Sequence, residues 1–534
     1  MPRRNCLDCN IFYLGKAGSD CTSTLPTPCH GLPLYTGSNS NLEEMQSWAR
    51  ECDEGHKICH KDRSVDYLPT RVIDVSRQED KVFIIEGEGC RRGPYVALSH
   101  CWGEANPIRT VLSSLPDFRT NGISLESFPK TFRDAVSVTR LLQCPYLWID
   151  SLCIIQDDIE DWVREAPLMA VIYSKSYITI AAAWSMDCTG GLFYDNAEYQ
   201  TKYMIKRELE DGTLVVVHVR PAIDHSMFYE IKTDLKKSEF HPVPLLRRCW
   251  FFQEHFFSTR IMFFTNWEVV WECDRDSTCI CGLRGYKGNP PEYRLLRTEL
   301  QRNIRENNDL ELWMRWLRII RSYTEGQLTY DSDRLAALAA IAAQMSNTVL
   351  GRYISGLWES RFVMSLSWCV EEPPYGSPEP RRTTDLTMPS WSWASVIGKV
   401  RIWGSSSDWN LEVIDIMYEA GKENSFVEAN ARAIIVRGMV SECKVWQEGE
   451  TRKFQERCAQ GARAEEITNF IVDIASEITC TQTEAMPAYM LHLGGHGIVL
   501  RKLDDETDTY QRLGIVRTWG SRWEGFTSTV LKFV

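Results

Sequence analysis

Two apolar runs of this 534-residue chain end in side chains that can bind a ligand or carry charge. Tyr95-Val-Ala-Leu leads into Ser99, His100, Cys101, Trp102 and Gly103, and Tyr146-Leu-Trp-Ile leads into Asp150 and Ser151. If both runs are strands of one parallel sheet, these groups share the edge at which such sheets bind ligands. Further on, Asp157-Asp158-Ile159-Glu160-Asp161 makes an acidic start to a helix, suited to its dipole. Trp162 and Glu165 lie three apart and share a face of that helix, so the carboxylate is partly desolvated by the indole. Plainer roles exist for each. A strand-end Asp serves as a turn or cap residue. Trp162, Ala166 and Met169 can form a buried stripe with Glu165 at its solvated edge. His100 and Cys101 are strand neighbours that face opposite sides, so they do not pair as base and nucleophile. Cys153 as a nucleophile would need a distant histidine. No G-x-G-x-x-G, G-x-x-x-x-G-K-[ST] or H-E-x-x-H occurs.

Nineteen cysteines cannot all pair within one chain, and MPRRNCLDCN lacks the apolar core of a secretory signal. Free thiols in a reducing, cytoplasmic setting are therefore expected. Cys144, Cys153, Cys249 and Cys369 sit in apolar stretches and read as small buried hydrophobes. Near the N-terminus, Cys6, Cys9, Cys21, Cys29-His30 and Cys52-x3-His56-x2-Cys59-His60 offer thiolate and imidazole at spacings that suit a structural zinc, against the alternative of free thiols. Cys273-x5-Cys279-x-Cys281 forms a second group with no histidine nearby. No other cofactor is indicated.

The elements that must position these residues follow from periodicity. Strands are expected at Val82–Glu86, Tyr95–His100, Tyr146–Asp150 and Tyr177–Ala183. Helices are expected at Leu42–Cys52, Thr131–Gln143 and Ile159–Ser174. This alternation predicts an α/β domain with a mostly parallel sheet covered on both faces. Pro167, inside the last of these helices, should kink or interrupt it. Four regions result: a Cys-rich 1–70, an α/β domain over 71–285, a helical 286–375 and a β-rich 376–534. Strand-like segments fall at Leu214–Val219 and Arg260–Glu272, and Arg334–Met345 is Ala-rich and helical. EEPPYGSPEPRRTT reads as a linker. Short strands follow at Ala433–Val440, Tyr489–Leu493, Ile498–Leu503 and Leu513–Trp519.

Composition bounds the partners. Sixty basic and seventy-two acidic residues leave a net charge of −12, which argues against nucleic-acid binding. Mean hydropathy is −0.29, and the longest apolar run, Tyr177–Trp184, is strand-sized, so no membrane-spanning helix is expected. Nineteen tryptophans are unusually many, and most read as packing residues.

Several segments, in order, resemble the fungal heterokaryon-incompatibility (HET) domain. They are YVALSHCWG (95–103), YLWIDSLCIIQDD (146–158) running into Asp161-Trp162 and Met169–Tyr173, and RCWFFQE (248–254) with Ser258, Arg260 and Trp271-Glu-Cys273. Asp333–Leu338, Gly356–Trp358 and Pro389–Ser395 look like regions that such proteins often carry further on. The resemblance implies a fungal cytoplasmic protein of non-self recognition and regulated cell death, set off by a protein partner or by self-assembly. It implies a fold similar to Toll/interleukin-1-receptor (TIR) domains, some of which cleave NAD at the nicotinamide–ribose bond. Carried over, Glu165 is the catalytic glutamate, and Ser99, His100, Trp102, Gly103, Asp150 and Trp162 line the NAD pocket. His100 stands where the family usually has tyrosine. A carboxylate suits this chemistry, because loss of nicotinamide leaves an oxocarbenium-like ribose. The alternative is a non-catalytic module that signals through contacts.

Overall fold

The computed structural model describes residues 11–13, 33–60, 67–87, 93–104, 107–197, 203–208, 214–219, 223, 243–282, 292–373, 378–404, 411–449, 451–456, 466–467, 470–504, 506–517 and 528–534. Cys6, Cys9, Cys21, Cys29 and His30 lie outside them. The chain divides into two compact units, one of residues 1–232 and 238–297, the other of 233–237 and 298–534.

The first unit is built on a nine-stranded sheet. Its order is Ser277–Cys279, Val269–Cys273, Arg260–Phe264, Ile178–Ala182, Tyr95–Ser99, Tyr146–Ile149, Arg71–Asp74, Lys81–Glu86, Ile123–Ser124. The four central strands are mutually parallel. The pairs outside them are antiparallel, so the sheet is mixed, with the expected parallel core at its centre. YVALS, YLWI, ITIAA and RIMFF are buried at every position, as strands covered on both faces must be.

Numbered by appearance, the parallel strands lie in the order 2-1-3-4. The chain steps from Tyr95–Ser99 to one side, then crosses back to Ile178–Ala182 on the other. The carboxyl end of Tyr95–Ser99 is therefore a topological switch point.

Local differences have identifiable causes. The strand expected over Arg260–Glu272 is an antiparallel hairpin, Arg260–Phe264 with Val269–Cys273, turned by Thr265, whose hydroxyl donates to the Glu268 carbonyl (2.7 Å). The Tyr146 strand stops at Ile149, because Asp150 opens a four-residue helix, Asp150–Cys153. The single helix expected over Ile159–Ser174 is three pieces: Ile159–Glu165, a 3-10 turn Ala166–Leu168 holding Pro167, and Met169–Lys175. Proline lacks the amide proton that a continuous helix would use there.

In the second unit, Asp309–Tyr323 is an amphipathic helix, and the Ala-rich stretch is two short helices, Asp333–Ala336 and Ala339–Gln344. The indoles of Trp316 and Trp393 both donate to the Gly356 carbonyl (3.2 and 2.9 Å). Gly356 has φ +98, and a Cβ there would lie 2.8 Å from the Trp393 indole nitrogen, so only glycine fits. Trp148, Trp316, Trp358, Trp368, Trp391 and Trp393 are fully buried, in keeping with a packing role. Within the expected linker, Arg381–Arg382 pairs with Val396–Ile397, and Arg381 is held by Asp331 (2.6 Å).

The C-terminal strands form a mainly antiparallel sheet around the 18-residue Ala431–Glu448, with Thr509–Arg517 and Ser528–Phe533 running parallel. Ser528–Phe533 bridges Ala431–Glu448 and Thr509–Arg517. With Met486–His492 and His496–Asp504, these strands close into a ring. Its core includes Val445, Phe454, Met490, Val499, Leu513 and Val516. Among the described residues, no helix is long and apolar enough to cross a membrane.

Candidate functional site

The switch point carries a polar cluster in an otherwise apolar setting. Ser99, the last residue of its strand, donates through Oγ to Oε2 of Glu254. Glu254 comes from the helix Cys249–Phe257, whose sequence CWFFQEHFF is buried at every position but Trp250. A carboxylate on such a helix must find a partner inside the protein. Arg248, the residue capping that helix, donates Nη1 to the His100 carbonyl. Trp102 Nε1 donates to Asp150 Oδ2 (2.9 Å), and the other carboxylate oxygen accepts the Ser151 amide (2.7 Å). Asp150, the first residue of its short helix, thus forms a wall of the cluster. Gly103 has φ +60, and a Cβ there would come 2.3 Å from the Asp187 Cβ, so this turn needs glycine.

His100 is fully enclosed. Its Nδ1 stands 3.8 Å from Asp150 Oδ1, and neither ring nitrogen has a hydrogen-bond partner among the described residues. The ring packs edge-on against Phe132 at 5.1 Å. Burial lowers its pKa to about 4, against the opposing pull of Asp150. Burial also pushes the Glu254 carboxyl up to about 7, despite Arg248 and the Ser99 hydrogen bond. Near neutral pH the cluster therefore holds a neutral imidazole and a carboxyl poised between its two states. Such a carboxyl can give or take a proton.

Glu165 lies in a different network. It is buried, not at a solvated edge, and its Oε1 faces Arg71 (4.0 Å) and Arg164 (3.4 Å). Arg71 also binds Asp161 and donates to the Cys153 carbonyl (2.8 Å), while Asp161 accepts the Ile155 amide (2.8 Å). The ion cluster ties the loop after Asp150 to the Arg71–Asp74 strand. Trp162, on the same short helix, is half-buried. Of the residues expected to form one site, Ser99, His100, Trp102, Gly103 and Asp150 gather at the switch point. Glu165 has its partners in the Arg71 cluster.

Cys153 does not suit a nucleophile: it is buried, and burial pushes its thiol up to about 12, which removes the reactive thiolate. Cys144, Cys249 and Cys369 are buried as expected of small hydrophobes. Sequence reasoning assigned no role to Glu254 or Arg248. The available signal was a lone carboxylate within a strongly aromatic helix.

The fold and cluster define an α/β unit with a polar site at the switch point of a mixed sheet. A family described as "Heterokaryon incompatibility protein (HET)" matches residues 95–254, less than half of the chain. The matched segment begins with the strand that carries Ser99 and ends on Glu254, its hydrogen-bond partner. No curated protein and no solved structure matches the chain.

Proposed function

We propose that this chain is a HET-domain protein of fungal non-self recognition and regulated cell death, and that its switch-point site cleaves NAD when a protein partner or self-assembly triggers it. The observation carrying this reading is the co-location, within the HET-like segment, of a poised carboxyl at Glu254 and an imidazole at His100 that has no hydrogen-bond partner among the described residues. Scission of the nicotinamide–ribose bond needs a carboxylate near the developing positive charge of the ribose, and polar groups that hold the sugar and base. Trp102 and Asp150, each partly exposed, would meet the ligand first, and Gly103 lets the chain turn there. Glu165 is the carboxylate that the family resemblance favours. For it to face a ligand, the Ile159–Glu165 helix must release Arg71, and that rearrangement is what the trigger would supply.

The test is NAD loss by the purified chain, alone and fused to an oligomerising domain, with Glu165→Gln and Glu254→Gln beside it. Loss by the assembled wild type that falls at least about a hundredfold in Glu165→Gln supports that carboxylate. The same fall confined to Glu254→Gln moves the catalytic role to the Ser99 pair. Burial of Ser99, His100 and Glu254 favours a second reading, a closed module that signals by contact alone. Cell killing that persists in both variants without NAD loss would establish it.

A further inference from the structure

A second chemical cluster stands away from the switch point, where the N-terminal helix meets the sheet. The helix Asn39–Gly55 carries Cys52 in its last turn. His56 ends the helix, its amide bonded to the Cys52 carbonyl (3.1 Å), and the 3-10 turn Lys57–His60 carries Cys59. The fourth member, Cys273, is 217 positions from His56 in sequence and closes the strand Val269–Cys273. One ligand atom from each of Cys52, His56, Cys59 and Cys273 lies within 4.8 Å of all the others. Cys273 Sγ and His56 Nδ1 are 3.4 Å apart. Around one tetrahedral zinc, with Zn–S about 2.3 Å and Zn–N about 2.0 Å, neighbouring ligand atoms stand roughly 3.5–3.8 Å apart.

The surroundings suit thiolates. Arg260, itself buried, directs Nε to Cys52 Sγ (3.2 Å), and the Asp276 amide donates to Cys273 Sγ (3.3 Å). Three thiolates and a neutral imidazole on a divalent ion leave one net negative charge, and the Arg260 guanidinium beside it offsets that charge. A disulfide would use two of the sulfurs and leave the third thiol and His56 without a role. A metal uses all four.

We propose that Cys52, His56, Cys59 and Cys273 bind one structural zinc ion, which fastens the N-terminal helix to the Val269–Cys273 strand. Four protein ligands fill the tetrahedron, so the ion holds structure and does not activate water. Binding displaces the thiol protons to solvent. The set crosses the two groups visible in the sequence, taking three ligands from the N-terminal cluster and Cys273 from the other.

The experiment uses the full chain, purified without chelator and with reductant, and measures metal by mass spectrometry. About one zinc per chain is expected, with a zinc K-edge spectrum fitting three sulfurs near 2.3 Å and one nitrogen near 2.0 Å. Cys52→Ser and Cys273→Ser should each lose that zinc, while Cys279→Ser keeps it. The K-edge spectrum is read on the wild type, so it stands even if a variant fails to fold. A wild-type chain without stoichiometric zinc after incubation with the metal overturns the proposal. So does a shell without three sulfurs, or zinc that survives Cys52→Ser and leaves with Cys279→Ser.

Discussion

Ser99 Oγ hydrogen-bonds Glu254 Oε2 across 155 residues of sequence, joining the end of the central strand to a buried helix. Beside this pair, His100 is held neutral by the same burial that keeps the Glu254 carboxyl protonated to higher pH. The two groups act on stability with opposite sign. Glu254 titrates near 7 folded against an ordinary 4.5, so its contribution is complete below about 4.5 and is lost as pH rises through 7. His100 titrates near 4 folded against an ordinary 6.5, so its contribution is present above about 6.5 and is lost as pH falls through 4. Each effect is on the order of 3 kcal/mol.

In the wild type these slopes oppose one another between about pH 4.5 and 6.5, and single variants should separate them. Glu254→Gln should gain stability relative to wild type as pH rises from 5 to 8. His100→Gln should gain relative to wild type as pH falls from 7 to 5. Urea unfolding at a series of pH values reads both. Parallel profiles for wild type and Glu254→Gln would show that this carboxyl has no raised pKa.

Gly103→Ala is expected to destabilise by at least about 2 kcal/mol, because alanine meets both a left-handed backbone and the Asp187 side chain. Gly495→Ala, where nothing lies within 4 Å of the added Cβ, is the control and should change little. The comparison is a melting-temperature shift. Equal shifts for the two would contradict the geometry of the turn.

Arg71→Met should cost about 3 kcal/mol, since it leaves the buried carboxylates of Asp161 and Glu165 with the half-exposed Arg164 as their remaining cationic partner. Adding Asp161→Asn and Glu165→Gln should recover much of that loss, which equilibrium unfolding measures. Glu165→Gln alone should be mild, because Asp161 is the direct hydrogen-bond partner of Arg71. A loss of activity in that single variant therefore reports chemistry and not unfolding.

In the second unit, Arg512 and Asp473 are fully buried, with Nε to Oδ2 at 2.8 Å. The guanidinium also covers the Trp368 ring at 3.6 Å and donates to the Leu366 carbonyl (2.7 Å). Arg512→Lys should not restore what Arg512→Met loses, about 3 kcal/mol, because an ammonium cannot stack and fork as a guanidinium does. Lysine restoring full stability would mean that charge alone matters at this site.

Short-range pattern was enough to reveal three of the four parallel strands, the helix over Lys130–Leu141 and the gathering of Ser99 and Asp150 at one sheet edge, whereas Val82–Glu86 proved antiparallel and Arg260–Phe264 supplied the fourth. Those features follow from side-chain period and from the rule that parallel strands present their carboxyl ends together. Pro167 likewise announced the break that separates Ile159–Glu165 from Met169–Lys175. Three outcomes belong to the tertiary structure alone. Glu254 meets Ser99, Arg71 engages Asp161 and Glu165, and Cys273 joins Cys52, His56 and Cys59. Each brings together residues at least 90 positions apart along the chain. No local period encodes such a meeting. Strand order and helix packing decide it, since a buried charge or thiolate is stable only where folding delivers its partner.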